Sequence, residues 1–180
     1  IDAEELPILK AMNLVTRMPV LYLANVAEGD LPDGNDHAKA VAEYAKANGA
    51  EFAMVSGKME SELAELTEDE QKEFLASVGL KEAALGQLIH AGYRLLKLIS
   101  FFAAGPKEVH AWTVREGATG PQAAGRIHTD FQNKFIRMET VSAEDLIKHG
   151  SIGACKEKGL LRTEGKEYIV RDGDVVHIKI

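Results

Sequence analysis

Asn25 and Glu28 place an amide and a carboxylate three residues apart, just past the short apolar run Pro19-Val-Leu-Tyr-Leu-Ala24. Ser56-Gly57 stands in the same position after a second run, Phe52-Ala-Met-Val55. As neighbouring parallel strands, the two runs would present these loops at their C-terminal ends, where open α/β sheets hold ligands. The chemistry on offer is hydrogen-bond recognition. Other chemistries lack their residues. No Gly-x-x-x-x-Gly-Lys-[Ser/Thr] loop cradles phosphate, and Gly57-Lys58 lacks the upstream glycine. No His-Glu-x-x-His or paired-cysteine pattern binds zinc. The six histidines, at 37, 90, 110, 128, 149 and 177, form no ligand spacing. Glu4-Glu5 and Glu68-Asp69-Glu70 read as solvated helix faces rather than glycosidase-type carboxylates. Cys155 is the only cysteine; it sits in no nucleophile motif and reads as a small hydrophobe. No internal disulfide can form, which suits a reducing cytoplasm.

The elements that would carry these loops follow from pattern. Pro19–Ala24 is continuously apolar, as in a parallel strand buried on both faces. Asp33 or Asn35 is placed to cap a helix from His37 to Ala47, and Asn48-Gly49 stops it. With Phe52–Val55 this makes a βαβ unit, whose ligand loops are Asn25–Asp30 and Ser56–Met59. Thr67-x-x-Glu70 forms a capping box ahead of Phe74-Leu75, and Gly79 closes that helix. Leu80–Leu98 continues as an amphipathic helix. From Ser100 the texture changes to short β-rich segments at Phe101–Ala103, Val109–Val114, Phe135–Val141, Tyr168–Val170 and Val175–Ile180. One main helix near Gln122–Asn133 and a short one at Ala143–Lys148, capped by Ser142, lie among them. Asp172-Gly173 is a hairpin turn signal. The second half thus reads as a small α+β roll.

Composition bounds the partners. The chain is 46% apolar and 27% charged, which is globular, and its longest apolar stretches are too short to cross a bilayer. Its net charge of −7 is uneven. Residues 1–98 carry 17 acids against 9 bases, and residues 99–180 carry 11 against 12. Phosphate backbones are repelled by the first half, so a nucleic-acid contact belongs to the second. The chain opens on Ile1 without a secretion signal, and Ile1–Leu9 reads like the middle of a longer protein.

Three longer strings make the chain recognisable. Phe101-Phe-Ala-Ala-Gly-Pro-Lys-Glu-Val-His-Ala-Trp-Thr-Val114 resembles the entry of the YchF family, Obg-related P-loop nucleotidases, into its TGS domain. Pro121-Gln-Ala-Ala-Gly-Arg-Ile-His-Thr-Asp-Phe131 resembles that module's helix, and Tyr168-Ile-Val-Arg-Asp-Gly-Asp-Val-Val176 its closing hairpin. Asn25-Val-Ala-Glu28 resembles the family's altered Asn-x-x-Glu base-reading loop, where related enzymes carry Asn-Lys-x-Asp. The resemblance covers nearly the whole chain. It implies an α/β fold: residues 1–99 as the second half of a P-loop nucleotidase (parallel sheet with helices), then residues 100–180 as a ubiquitin-like β-grasp TGS domain (α+β). Glu4–Asn13 would be the last turn of a helical insertion.

The resemblance further implies nucleotide-binding residues Asn25, Val26, Glu28, Ser56 and Gly57. Val26 replaces the usual Lys, and Glu28 moves the carboxylate out by one methylene. Adenine offers an N6 donor beside its N1 acceptor, which backbone near Val26 would read, so ATP as well as GTP is expected. The intact protein would be a Mg²⁺-dependent ATPase/GTPase on or near the ribosome, cytoplasmic, without a membrane segment, and monomeric. The phosphate loop and metal-binding groups would lie upstream of Ile1. This segment alone would hold no catalytic residue, no metal and no bound cofactor. A non-enzymatic alternative makes the chain an adaptor for ribosomal RNA, with Arg115, Arg126, His128, Lys134 and Arg137 meeting phosphates. Trp112 or Phe131 could stack on bases, although β-grasp core is the commoner role for both. A third reading, a nucleotide-sensing regulator, has no residue of its own.

Overall fold

The computed structural model describes residues 2, 5–80, 82–105 and 108–180, and for Lys10 only the backbone. The chain divides into two compact units, Ile1–Leu96 and Lys97–Ile180. The expected boundary at Ser100 falls inside a strand, because β-pairing starts two residues earlier, at Leu98.

In the first unit, helix α1 (Glu5–Ala11) is opened by Asp2 and Glu5, whose carboxylates accept each other's backbone N–H. Glu4 and part of the expected insertion helix lie outside the described residues. A 3-10 turn (Val15–Arg17) leads into strand β1 (Leu21–Asn25), and a second (Glu28–Asp30) follows it. Helix α2 (Asp36–Ala47) is capped by Asn35, whose Oδ1 accepts the Ala38 N–H at 3.0 Å. Strand β2 (Glu51–Val55) then runs parallel to β1, with Leu21 opposite Glu51 and Asn25 opposite Val55. Helices α3 (Gly57–Leu63), α4 (Glu68–Ser77) and α5 (Ala84–Leu96) complete the unit.

Three expectations change here. Leu23 is 47% exposed, so β1 is not buried on both faces; its sheet has two strands among the described residues. Ser56–Met59 is not a loop, because α3 begins at Gly57. The helix predicted from Leu80 starts only at Ala84, where Glu60 of α3 accepts the Ala84 N–H at 2.7 Å and supplies the missing cap. The Thr67 capping box forms as expected. Glu70 accepts the Thr67 N–H and hydroxyl at 2.9 and 2.7 Å, which lowers its pKa. Met59, Leu63 and Leu75 form the buried core beneath α3 and α4.

The second unit carries β3 (Leu98–Ala104), β4 (Val109–Arg115), α6 (Gly120–Ile127), α7 (Thr129–Asn133), β5 (Arg137–Ser142), α8 (Ala143–His149), α9 (Ile152–Glu157), β6 (Arg162–Glu164) and β7 (Asp174–Lys179). Its sheet runs β4-β3-β7-β5-β6, with β3 and β7 parallel and every other pair antiparallel. Helix α6 covers one face over Phe101, Val114, Phe135, Met138 and Val176. Ala123 and Ala124 are fully buried, so small side chains set a close helix–sheet approach. Gly120 is part of that approach: a Cβ there would stand 2.9 Å from the Phe135 ring. The opposite face packs Phe102, Val141 and Val175 against Leu146 of α8 and Cys155 of α9.

The expected single helix over 122–133 breaks at His128, whose extended backbone (φ −159°, ψ 143°) ends α6; its ring nitrogen then accepts the Asp130 N–H and starts α7. Tyr168–Val170 makes only an isolated bridge to Thr119, so Asp172-Gly173 is not a hairpin between two strands. Instead Asp172 accepts the Ser100 N–H at 2.8 Å and Gly173 donates to the Ser100 carbonyl at 2.8 Å, tying the turn to β3. The short β6 and α9 have no clear periodicity and escape the sequence reading.

Candidate functional site

The two loops proposed to read a ligand are joined by one hydrogen bond. Asn25, the last residue of β1, accepts the Gly57 N–H on Oδ1 at 3.0 Å, across 32 residues of chain. Parallel pairing of β1 and β2 brings the strands' C-terminal ends level, and this bond locks the loops beyond them. With Oδ1 committed, the Asn25 Nδ2 amide is left as a donor. A Cβ at Gly57 would sit 3.5 Å from Asn25 Oδ1, an ordinary contact, so the bond needs only the Gly57 backbone. The Val26 N–H donates to the Val55 carbonyl at 2.8 Å and extends the ladder by one residue.

Glu28 opens the 3-10 turn and is half-buried, and its carboxylate has no partner among the described residues. The loop around it is firmly held. Asn35 Nδ2 donates to Asp30 at 2.9 Å, the Gly34 N–H donates to the Asp30 carbonyl at 2.6 Å, and Leu31 packs on the α3/α4 core. Asp30 and Leu31 are thus supports that the sequence does not single out. Ser56 is wholly enclosed and its hydroxyl has no partner among the described residues. What it offers a ligand is therefore backbone, not Oγ. The structure links Asn25 with Gly57, keeps Val26 and Glu28 beside them in one rigid loop, and withdraws the Ser56 side chain.

The five cationic candidates are dispersed over the second unit. Arg115 and Arg126 line one cleft between α6 and the free edge of β4. His128 is committed to capping α7 and stands 3.8 Å from Asp130. Lys134 ends α7 and is exposed. Arg137 pairs with Lys179 on the sheet face opposite α6, since its neighbour Met138 points into the core under α6. Arg115 lies on that same face but on β4, across two intervening strands. A single flat contact surface cannot engage all five. Trp112 and Phe131 pack against the α6 core, as expected of core residues. Among the described residues no group of three His, Cys, Asp or Glu could hold a metal ion, and no helix is long and apolar enough to cross a membrane.

Residues 98–180 match the YchF-GTPase C-terminal family, described as a protein of unknown function (DUF933). The "Ribosome-binding ATPase YchF" of Bacillus subtilis is 46% identical over 178 residues, covering 98% of this chain and 49% of that protein. Its namesake from Haemophilus influenzae is 46% identical over 179 residues, again 49% of its length. The solved YchF GTPase of Schizosaccharomyces pombe superposes with a TM-score of 0.85 at 35% identity, over 99% of this chain and 48% of that one. A GTP-binding protein from Pyrococcus horikoshii shares the fold at a TM-score of 0.63 and 18% identity. The chain spans about half the length of the curated relatives it matches.

Proposed function

The chain is the C-terminal part of a YchF-type, Obg-related GTPase, and on that premise we propose that its Asn25–Glu28 loop, with Gly57, reads the base of ATP or GTP. The observation that carries this is the Asn25–Gly57 bond, which fuses the two strand-end loops and leaves an amide donor and the free Glu28 carboxylate for a ligand. In this reading the whole protein is a ribosome-binding ATPase/GTPase working in the cytoplasm. Mg²⁺ would accompany the triphosphate, and the described residues supply it no ligand set. Residues 1–99 are the later part of the nucleotide domain. Residues 100–180 are the TGS module, and the strand order β4-β3-β7-β5-β6 supports a ubiquitin-like β-grasp.

Base selection is tested in a full-length YchF-type protein carrying this segment. Val26→Lys with Glu28→Asp restores the guanine-reading pattern and shortens the carboxylate by one methylene, so the affinity ratio should move toward GTP. An unchanged ATP:GTP ratio refutes the base-site assignment. The 180-residue chain alone should not hydrolyse nucleotide, because phosphoryl transfer depends on positioning the phosphates and no phosphate-cradling loop occurs in its sequence. Phosphate release above a parallel mock purification would contradict this. A second role, ribosomal RNA contact by the second unit, is supported by Arg115 and Arg126, which are exposed and have no carboxylate partner among the described residues.

A further inference from the structure

The sheet of the second unit ends in two very different edges. β6 is three residues long, and Arg162 at its start is held inward by Asp174 at 3.3 Å. β4 runs for seven residues, Val109–Arg115, with β3 on one side and no strand on the other among the described residues. A long open edge is a template for a further strand, which is why such edges are usually shortened or blocked. The register decides which backbone groups face outward. The Glu116 N–H donates to the Lys97 carbonyl at 2.8 Å and the Glu108 carbonyl accepts the Gly105 N–H at 2.9 Å, so the even-numbered positions bond to β3. The odd-numbered ones, Val109, Ala111, Thr113 and Arg115, turn their backbone groups to the free edge. Two of these carbonyls are already covered, Thr113 by Arg126 Nε at 3.2 Å and Arg115 by the Ala118 N–H at 3.1 Å. The outward groups of Val109 and Ala111 meet no partner among the described residues, and both residues are exposed.

We propose that the Val109–Ala111 edge docks an extended peptide segment of a partner protein as a sixth strand of this sheet, an apolar segment with acidic residues at the end beside Arg115 and Arg126. Donors and acceptors alternating at strand spacing are matched by the backbone of another strand, and its alternate side chains supply specificity. On the α6 face those side chains lie beside His110 and Trp112. These two residues, with Ala103, Ile127, Phe131 and Ile178, line a hollow of about 420 Å³ that suits an apolar side chain. On the other face the added strand lies beside Ala111 and Val109, which is 64% exposed. Further along β4, Val114 is buried under α6, so Arg115 points to the opposite face, while Arg126 reaches the edge from α6. The two guanidinium groups thus flank an added strand from opposite faces, and each meets one of two successive side chains. Both are exposed without a carboxylate partner among the described residues, so acids at those two positions complement them in charge. The site is separate from the Asn25–Glu28 loop. It shares Arg115 and Arg126 with the RNA-contact reading, which the test below distinguishes.

The test is amide hydrogen exchange, with NMR titration, on the ¹⁵N-labelled 180-residue chain. The probes are the capped peptides Asp-Glu-Val-Ile-Val and Val-Ile-Val-Glu-Asp, a lysine-for-acid version of each, and a single-stranded RNA tetranucleotide. In the free chain the outward amides of Val109 and Ala111 should exchange fast and the ladder-bonded amides of His110 and Trp112 slowly. Bound acidic peptide should slow Val109 and Ala111, and whichever order binds tighter gives the direction of the added strand. Lysine in place of the acids should weaken binding by at least about tenfold. Ala111→Pro deletes an outward N–H that no ladder bond uses, at an edge position where proline is tolerated, and should weaken binding by at least about tenfold. N-methylation scanned along the peptide makes the same test on the unchanged protein, should that variant not fold: affinity should fall at every second residue. Slow exchange at Val109 and Ala111 in the free chain, no added protection on binding, or an N-methyl scan without alternation would each overturn the proposal. So would unchanged affinity in folded Ala111→Pro, lysine peptides binding as tightly as the acidic ones, or the RNA protecting the same amides as strongly. None of these readouts involves the Asn25–Glu28 loop, so this proposal and the base-site reading fail separately.

Discussion

Replacing Asn25 by Asp separates the two jobs assigned to its side chain. The carboxylate can still accept the Gly57 N–H at about the present 3.0 Å, so the tie between loops persists. What disappears is the Nδ2 donor left over for the ligand. Losing one hydrogen bond to an uncharged partner costs about 1 kcal/mol net, and turning a lone pair toward a ligand acceptor adds a desolvation cost of similar size. The sum, about 2 kcal/mol, corresponds to roughly thirtyfold weaker nucleotide binding. Asn25→Ala removes both functions and should also lower the melting temperature, by the modest amount due to one exposed hydrogen bond. The assay is paired: nucleotide affinity by calorimetry on a full-length YchF-type protein, and thermal unfolding of the same preparations. Asn25→Asp should melt like the parent and bind poorly. Parental affinity in Asn25→Asp would show that Asn25 only ties the loops, and the base-site geometry would have to be abandoned.

Other outcomes follow from the second unit. Tyr168 donates to Asp174 at 2.7 Å, and burial, then this bond, pushes its pKa up to about 12 from the usual 10. A folded pKa above the unfolded one contributes stability that is complete below pH 10 and is lost as pH rises through 12. Urea midpoints should therefore fall across that window in the parent and change less in Tyr168→Phe; equal slopes would refute the linkage. Reversing Arg115, Arg126 and Arg137 to Glu should abolish co-sedimentation with ribosomes while leaving nucleotide binding at the Asn25–Glu28 loop intact. Because Arg137 lies away from the Arg115–Arg126 cleft, the pair alone should account for most of the loss, and co-sedimentation surviving the triple reversal at moderate salt would place the contact elsewhere.

The local instructions in this chain are strong where a side chain acts on its own neighbours. Asn35 and Ser142 cap the helices expected of them and Thr67 forms its box with Glu70, because each needs only a partner three residues away. The strand-end position of Asn25 and Ser56 was legible for the same reason: apolar run and turn are read within a few residues. Tertiary structure decided what depends on distant atoms. The start of α5 is set by Glu60 from another helix, and the Asp172-Gly173 turn is set by the backbone of Ser100. Enclosure of Ser56 Oγ removed one candidate contact, and strand order distributed five candidate cations over separate surfaces. Residue spacing alone specifies neither burial nor which strands become neighbours, since both come from packing between segments far apart in the chain; that packing put Arg115 and Arg126 on one cleft and left Arg137 across the sheet.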